Sequence, residues 1–398
     1  LCPLQEGLGP GGLAMIGGMW SDLPASGAPV RSLELPAREA ESVGERVGSL
    51  HQEVMRAVPQ VDRIACALYD PQADTLRTFV DSTQHGARLQ AYECPLGAAP
   101  SLLRLKELRH TRIIQDIPAS IQGQSHHSRW LREQGFQSSY TVPLFHQGEF
   151  EGVLFFDSAT PAAFTPEVTQ RLDIYARMVG MMVSHEVAAV RALVGSMRIA
   201  QDFARLRDVE TGGHLERMSR LARMLARALA PQMQLSDEFV EHIFLFAPLH
   251  DIGKIGVPDM LLAKPGRFTP EERVAMQAHV PLGVQMVDRL IEGFGLAQLA
   301  GVAVLRHIVA SHHERMDGRG YPAGLAGQAI PIEARIVAVA DVLDALVNRR
   351  AYKEAWALEA ALDEVDRMAR EGHLDPDCVA PLRAHEAEVR AILARFED

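Results

Sequence analysis

Apolar residues in the first part of the chain recur with two different periods, which predicts a domain of both helices and strands. Between residues 38 and 58 they are spaced by four, three and four residues, as on one face of an α-helix: Val43, Val47, Leu50 and Val54. Residues 63–69 and 75–81 are strand-like and flank the turn sequence 70–74, which contains Asp and Pro. A β-hairpin is therefore expected directly after the helix.

A second hairpin and a helix start follow later in the same part of the chain. Residues 139–144 and 150–156 have the pattern of strands on either side of the polar turn sequence 146–149. Thr165 is a favourable helix N-cap and Pro166 suits the first helical position, so a helix is expected to begin there. The predicted order is helix, hairpin, an irregular middle segment, hairpin and helix.

The next segment carries apolar residues at heptad spacing and predicts a connecting helix across residues 183–205. The apolar residues are separated by steps of four, three, four and three: Val183, Val187, Val190, Val194 and Met197. Such a seam fits a helix that pairs with its twin in a homodimer, and it also fits an amphipathic helix packed on its own domain. The position between two halves of the chain favours the homodimer, because a helix there can transmit a rotation or a register shift.

The second half of the chain, about 198–390, has few strand signals and contains nine of the sixteen histidines. Two adjacent pairs stand out, His250-Asp251 and His312-His313. Neighbouring side chains on a helix diverge by about 100°, so two adjacent histidines suit two neighbouring metal ions better than one. A carboxylate can bridge two cations, while each histidine supplies a terminal nitrogen ligand.

Three further features fit a site of the same chemistry. Glu210 and His214 are four residues apart, which places both on one helical face. Asp341 lies in an apolar helix, where an unpaired carboxylate is costly to bury and metal ligation would satisfy it. Lys254 lies three residues after Asp251 and can donate to a phosphate oxygen or protonate a leaving oxygen.

Composition narrows the class of protein. The chain has 398 residues, enough for two domains, and a net charge of −11, which argues against binding to nucleic-acid polymers because phosphate contacts need a basic face. The four cysteines have no metal-ligand spacing and predict free thiols in a reducing cytoplasm. No apolar run reaches the roughly eighteen residues of a membrane span. We expect a cytoplasmic protein without membrane contact, with residues 1–37 disordered.

The sequences HDIGKIGVPD and HHERMDGRGYP resemble the two signature motifs of the HD-GYP phosphodiesterases, the branch of the HD superfamily that hydrolyses cyclic di-GMP. The resemblance runs from Arg207 to about Leu382. It implies an all-helical bundle over residues 198–390 whose helices direct metal ligands inward. The ligands that it implies are Glu210, His214, His250, Asp251, His279, His312, His313 and Asp341.

This ligand set predicts the type of metal centre. Eight ligands without a cysteine exceed one tetrahedral zinc site and fit two or three divalent ions. Mixed imidazole and carboxylate ligation suits iron or manganese and leaves zinc and nickel open. The family resemblance favours iron.

The same resemblance implies the residues that act on the substrate. Residues 348–353 are similar to the family's phosphate-binding segment, although Ala351 replaces the usual proline. Asp251 and Lys254 are the implied catalytic residues. The implied substrate contacts are Arg350 and Lys353 with the phosphates, Tyr321 and Pro322 beside a base, Gly320 where the loop approaches the ligand, and Arg315 with a phosphate or a partner protein.

The first half of the chain, over residues 38–185, resembles a GAF domain, most clearly in VPLFHQGEFEGVLFFDSATPAAFTPE. A GAF domain is an α/β sandwich used for small-molecule sensing or dimerisation, so a regulatory ligand of unknown identity is expected. The histidines of this half share no ligand spacing and are expected to be solvated or singly hydrogen-bonded: His85, His110, His126, His127 and His146.

Together these features predict a multidomain α+β protein with a GAF-type α/β sandwich, a long connecting helix and an all-α HD-GYP bundle. The expected activity is metal-dependent hydrolysis of cyclic di-GMP to pGpG, with a further cut to GMP where a third metal is bound. We expect a homodimer regulated through the GAF domain, with a GGDEF protein as a candidate partner. Two alternatives are a hydrolase of 3′,3′-cyclic GMP-AMP and a non-catalytic receptor for cyclic dinucleotides.

Overall fold

The structure is a computed structural model that describes residues 41–84, 86–121, 126–205, 212–264, 266–348 and 355–396. The prediction that residues 1–37 are disordered lies outside this part of the chain. Among the described residues, every strand lies before residue 160, and the remainder is helical. The predicted multidomain α+β class is therefore confirmed.

Six antiparallel strands form one sheet in the order β3-β2-β1-β6-β5-β4. Both predicted hairpins lie at its centre, and their strands are somewhat longer than the sequence pattern indicated. The strands are β1 Arg63–Asp70, β2 Thr75–Thr83, β3 Glu93–Pro95, β4 Arg112–Ile114, β5 Ser138–His146 and β6 Glu149–Ser158.

Helices cover both faces of this sheet because each central strand has apolar side chains on both sides. One face packs on α1 and on the first part of a long helix, α5. The other packs mainly on α2 and the 3-10 turn before it. The helices of this half are α1 Val43–Ala57, α2 Pro100–Leu108, α3 Ile117–Ser120, α4 His126–Glu133 and α5 Pro166–Arg205.

The long helix α5 begins at Pro166, as predicted, and continues for 40 residues. The residues of the predicted heptad seam are between 0 and 6% exposed, because they pack inside the chain. Val183 and Val187 belong to the core under the sheet, while Val190, Val194 and Met197 belong to the core of the helical half. The interpretation of this seam as a homodimer contact is therefore wrong; the seam joins the two halves of one chain.

The segment Pro166–Ile199 of α5 is long and apolar enough to span a membrane by length and composition, the one such helix among the described residues. The sequence pattern had indicated no run of this kind. Of its most apolar window, 44% is buried inside the protein. Length and composition are weak evidence for a span, since a core helix passes the same test.

The helical half has one continuous core. The last described residues form the end of α14 and a separate α15, whose Glu388 accepts a hydrogen bond from Arg227 at 2.5 Å. The helices are α6 Gly212–Met233, α7 Asp237–Phe246, α8 Asp259–Leu262, α9 Pro270–Gln277, α10 His279–Phe294, α11 Gly301–Ser311, α12 Ile332–Val347, α13 Leu358–Arg370, α14 Pro376–Ala384 and α15 Glu386–Arg395.

One buried and one partly buried ion pair connect the sheet to the helical half. Arg77 on β2 donates to Glu241 on α7 at 2.8 Å, and Arg223 on α6 donates to Glu93 on β3 at 2.6 Å. Both carboxylate oxygens of Glu238 on α7 accept backbone N–H groups from the first turn of α1 at 2.9 Å. Since a buried charge is stable only when paired, these contacts hold the two halves in a defined arrangement.

Candidate metal centre

The predicted ligands that lie in described residues converge from separate elements of the helical half. His214 is in the first turn of α6, His250 and Asp251 lie between two 3-10 turns, and His279 begins α10. His312 and His313 follow α11, and Asp341 lies within α12. Their side chains form two groups, each with ligand atoms within 4.8 Å of one another: Asp251, His279, His312 and His313, and His214, His250 and Asp341.

A glycine in the HD motif permits this convergence. A Cβ atom at Gly253 would lie 1.8 Å from the carbonyl oxygen of His279 and 2.4 Å from the backbone nitrogen of Gly283. The turn after Asp251 therefore packs directly on the backbone of α10, which a larger residue would prevent. This close approach brings Asp251 next to His279.

Three of the histidines are held in the same way. The Nδ1–H groups of His250, His279 and His312 donate to the carbonyl oxygens of Ala247, Met276 and Ile308 at 2.9, 2.7 and 3.0 Å. Because a carbonyl can only accept, Nδ1 carries the proton and Nε2 is left with its lone pair. Outer hydrogen bonds of this kind fix the tautomer and ring orientation of metal-ligating histidines.

A carboxylate fixes the fourth histidine. Nδ1 of His214 donates to Asp344 at 2.7 Å, and Nε of Arg217 donates to the other oxygen of Asp344 at 2.6 Å. All three side chains are buried. Asp344 lies three residues after Asp341 on α12, and its hydrogen-bond partner in the metal centre is His214. The position of Arg217 three residues after His214, one turn along the helix, was a signal that sequence analysis left unused.

Buried polar atoms without a hydrogen-bond partner among the described residues face one another here: Nε2 of His214, His279 and His312, and Oδ1 of Asp251. Oδ1 of Asp251 is 3.2 Å from Nε2 of His279 and 3.6 Å from Nε2 of His312. Leaving buried polar atoms unsatisfied is costly, and divalent cations bound by the two ligand groups would accept these lone pairs. The donors therefore fit a metal centre.

The charge state of Asp251 suits a metal ligand. Burial raises its pKa, but Lys254, whose Nζ lies 2.9 Å away, and His250 hold the pKa of this carboxyl well below its usual value. Burial lowers the pKa of His312, and it lowers the pKa of His313 to about 2. The carboxylate is thus charged and these imidazoles are neutral, the protonation states in which they bind metal.

The loop after His313 forms one wall of the site. Tyr321 stacks on His313 with ring centroids 4.6 Å apart, and a cis peptide bond joins it to Pro322. A Cβ atom at Gly320 would lie 2.4 Å from the backbone nitrogen of Arg315, so this glycine is required by packing within its own loop. The sequence interpretation assigned that close approach to a ligand instead. Arg315 forms an ion pair with Asp317 at 2.6 Å.

A groove of about 500 Å³ opens above His312, His313 and Asp341, and Arg315, Gly320 and Tyr321 line it. Several lining residues were not predicted from the sequence because they belong to no recognised motif. They are Phe268, Arg273, Gln277, Met368 and His373. Arg273 adds a guanidinium group to this groove and His373 adds an imidazole.

Three predicted site residues, Glu210, Arg350 and Lys353, lie outside the described residues. His307 bonds Glu333 at 2.6 Å and belongs to neither ligand group. In the first half His110 and His126 are exposed, whereas His127 is partly buried and stacks near Tyr92 and Phe155. His85 is not described. Cys66, Cys94 and Cys378 are free thiols, as predicted.

Comparison with known families identifies both halves. The GAF domain family matches residues 50–183 and the HD domain family matches residues 198–378. The cyclic di-GMP phosphodiesterase response regulator RpfG of Xanthomonas campestris is 46% identical over 191 residues, covering 48% of this chain and 47% of the relative.

Several of the relatives come from Vibrio cholerae. A cyclic di-GMP phosphodiesterase is 35% identical and covers 57% of this chain and 49% of the relative. A 3′3′-cGAMP-specific phosphodiesterase, number 2 of its kind, is 34% identical and covers 64% of this chain and 47% of the relative. The chain thus spans about half the length of the curated relatives it matches.

Proposed function

Because the chain belongs to the HD-GYP family of HD-domain proteins and carries a GAF domain, we propose that it is a metal-dependent phosphodiesterase that hydrolyses cyclic di-GMP. The product is pGpG, and a second cut yields GMP where a third metal is bound. The GAF domain regulates this activity.

The observation that carries the proposal is the set of converging side chains with unsatisfied ligand atoms. Nε2 of His214, His279 and His312 and Oδ1 of Asp251 have no hydrogen-bond partner among the described residues, although each lies in the interior. Two adjacent ligand groups that share this wall of the groove suit a pair of ions. We assign Glu210 to the same ligand set, and iron to the ions.

The side chains around the ligands have separate roles. Divalent ions bound there would polarise a phosphate oxygen and lower the pKa of a water molecule. Asp251 keeps its charge and orients Lys254 through their 2.9 Å contact. The Lys254 ammonium then offers a proton to the leaving ribose oxygen and stabilises charge on the phosphate. Asp344 and Arg217 hold the His214 ring in place.

The groove supplies the contacts with the rest of the substrate. We propose that Tyr321 and Pro322 bound the side where a base lies, with Gly320 and Arg315 in the same loop. We propose that Arg350 and Lys353 bind the phosphates, because guanidinium and ammonium groups form charge-assisted hydrogen bonds with phosphate oxygens. The acidic chain, with a net charge of −11, needs such local cations to hold a dianionic ligand.

A second candidate substrate is 3′3′-cyclic GMP-AMP. The similarity to the 3′3′-cGAMP-specific relative extends over 263 residues, a longer stretch than the 191 residues of the match to RpfG. Both substrates present the same phosphodiester to the metal centre, so the bases alone would decide between them.

The experiment is anaerobic turnover of each cyclic dinucleotide by the iron- or manganese-loaded full chain, with products separated by chromatography. We expect pGpG or GMP from cyclic di-GMP, and no product from Asp251→Ala. The matched control is His307→Ala, which removes a histidine outside both ligand groups and should leave turnover intact. Binding of cyclic di-GMP without turnover would identify a receptor, and turnover of cyclic GMP-AMP alone would identify the second substrate.

Strands β2 and β3 provide a route for regulation. Leu76, Thr78 and Cys94 line a small cavity of about 30 Å³ inside the GAF domain. Between them in sequence, Arg77 and Glu93 bond α7 and α6 of the helical half. The cavity has room for about one water molecule, so a small-molecule ligand fits only when the lining residues move. Because neighbouring strand residues point to opposite faces, such a movement would shift the strands that anchor the catalytic half. We propose this region of the GAF domain as the site of the regulatory ligand.

A further inference from the structure

One side of α5 is exposed although it is apolar. Ten large hydrophobic side chains are exposed among the described residues, and four of them lie on this helix. Ile174, Met178, Met181 and Ile199 are 64, 43, 66 and 60% exposed. Such a concentration on a single helix indicates a contact surface, since exposed hydrophobic residues are usually scattered singly.

These four residues belong to a stripe with heptad spacing. The stripe, here called the outer stripe, advances by four and three residues in alternation: Ile174, Met178, Met181, His185, Ala188, Ala192, Gly195 and Ile199. None of the eight is buried. Its length is about 37 Å at the usual helical rise. A repeat of 3.5 residues keeps one seam facing another helix over such a length.

We propose that the outer stripe pairs with the same stripe of a second copy of this chain, as a parallel two-stranded coiled coil. A seam with this repeat is complementary to itself about a two-fold axis, which is the commonest symmetry of homo-oligomers. The homodimer expected from the sequence would then form through the opposite side of the helix from the valine seam. This proposal does not depend on the phosphodiesterase activity.

The charges that flank the outer stripe favour the parallel orientation. Arg177, Arg191 and Arg198 precede stripe residues, at the g positions of the heptad. In a parallel pair each g position faces an e position of the other helix, and the e positions are uncharged: Tyr175, Met182, Ala189 and Ser196. In an antiparallel pair g faces g, which places arginine against arginine. Like charges at these positions oppose pairing.

The test of the contact compares two charge insertions in the full chain by sedimentation at micromolar concentration. The wild type should have the mass of two 43.7 kDa chains. Met181→Glu should be monomeric, whereas Leu108→Glu, which alters an equally exposed residue (61%) away from α5, should remain dimeric. Circular dichroism checks that both fold. A monomeric wild type, or a Met181→Glu variant that stays dimeric, overturns the proposal.

Cysteine cross-linking tests the orientation without disrupting the fold. Under mild oxidation Met181→Cys should cross-link to its twin, because a parallel seam places identical residues opposite each other. Wild type provides the background, and Leu108→Cys is the matched exposed control. Cross-links between Ile174→Cys and Ile199→Cys in a mixture, without cross-linking of Met181→Cys, contradict the parallel arrangement. If the wild type is a monomer and floats with phosphatidylcholine vesicles while Met181→Glu does not, the outer stripe is a membrane contact instead.

Discussion

Buried histidines in the two halves of the molecule differ in how many of their ring nitrogens have a hydrogen-bond partner. In the GAF domain His51 is fully buried, and its ring nitrogens contact the Ser82 hydroxyl at 2.8 Å and the Val61 carbonyl at 3.1 Å. In the HD domain His279 and His312 are just as buried, yet each uses Nδ1 alone and leaves Nε2 unsatisfied.

The difference separates a structural histidine from a ligand. A histidine whose two nitrogens are both paired has no capacity left for a metal. Arg63 in the same domain is likewise paired, with Asp81 at 2.8 Å and with Asp157 at 2.6 Å. Unsatisfied buried atoms are rare in proteins, so several that converge from different elements indicate a missing ligand.

The same substitution in the two regions should have opposite effects. His312→Ala should lower turnover by about 1,000-fold or more, beyond the roughly 10–100-fold loss typical of residues that only support a ligand. It should lower the stability of the metal-free protein less than His51→Ala does, since it removes one hydrogen bond, to the Ile308 carbonyl, together with one unsatisfied nitrogen. His51→Ala should leave turnover within about twofold and lower the free energy of unfolding by about 1–3 kcal/mol. Steady-state assays measure turnover, and urea unfolding measures the free energy of unfolding. If the two variants changed both quantities equally, the distinction between a ligand and a structural histidine would be wrong.

Breaking the buried ion pairs of Arg63 should lower the free energy of unfolding more than any other change considered. Arg63→Met leaves Asp81 and Asp157 as uncompensated buried charges and should cost about 3–5 kcal/mol. The control is Arg56→Met, which breaks the exposed pair with Glu53 and should cost at most about 1 kcal/mol. Urea unfolding of both variants measures the difference, and similar losses would show that burial does not matter here.

Weakening the hydrogen bond that orients His214 should have a smaller effect, which we expect on metal affinity. Asp344→Asn keeps the shape of the side chain, but it weakens the hydrogen bond that orients His214 and removes the negative charge next to Arg217. Metal affinity should fall by about 10–100-fold. Competition with a chelator, measured alongside turnover at saturating metal, separates loss of affinity from loss of folding. Unchanged affinity would mean that the ring is held by packing alone.

The smallest effect should be the pH dependence contributed by His51. Burial lowers its pKa below the usual 6.5, so the folded protein holds the ring neutral while the unfolded chain takes up a proton. The unfolded state therefore binds more protons below pH 6.5. Stability present above that pH is lost as the pH falls, by at most about 1.4 kcal/mol per pH unit. Comparing urea unfolding of wild type and His51→Phe at pH 7.5 and 5.5 isolates this contribution. If both proteins lost the same free energy of unfolding between the two pH values, His51 would contribute no pH dependence.

Local signals accounted for much of the fold. The hairpin strands, the turn between them and the start of α5 at Pro166 followed from patterns within a few residues, because period-two alternation and N-cap preferences act over that range. The seven described candidate ligands lie in two groups whose ligand atoms are close together, and the sequence named all seven in advance. Asp344 as the partner of His214, and the groove residues Arg273 and His373, were missed because they meet the site only through folding.

The sequence by itself determined that α5 is a long helix with apolar residues at heptad spacing, and which residue types could ligate metal. Tertiary structure decided which stripe of that helix is buried. A helix can carry two stripes with the same repeat, and the one rich in valine looks like the better seam. Burial depends on what packs against each side, and here the sheet core and the HD core occupy the valine stripe and leave the outer stripe in solvent.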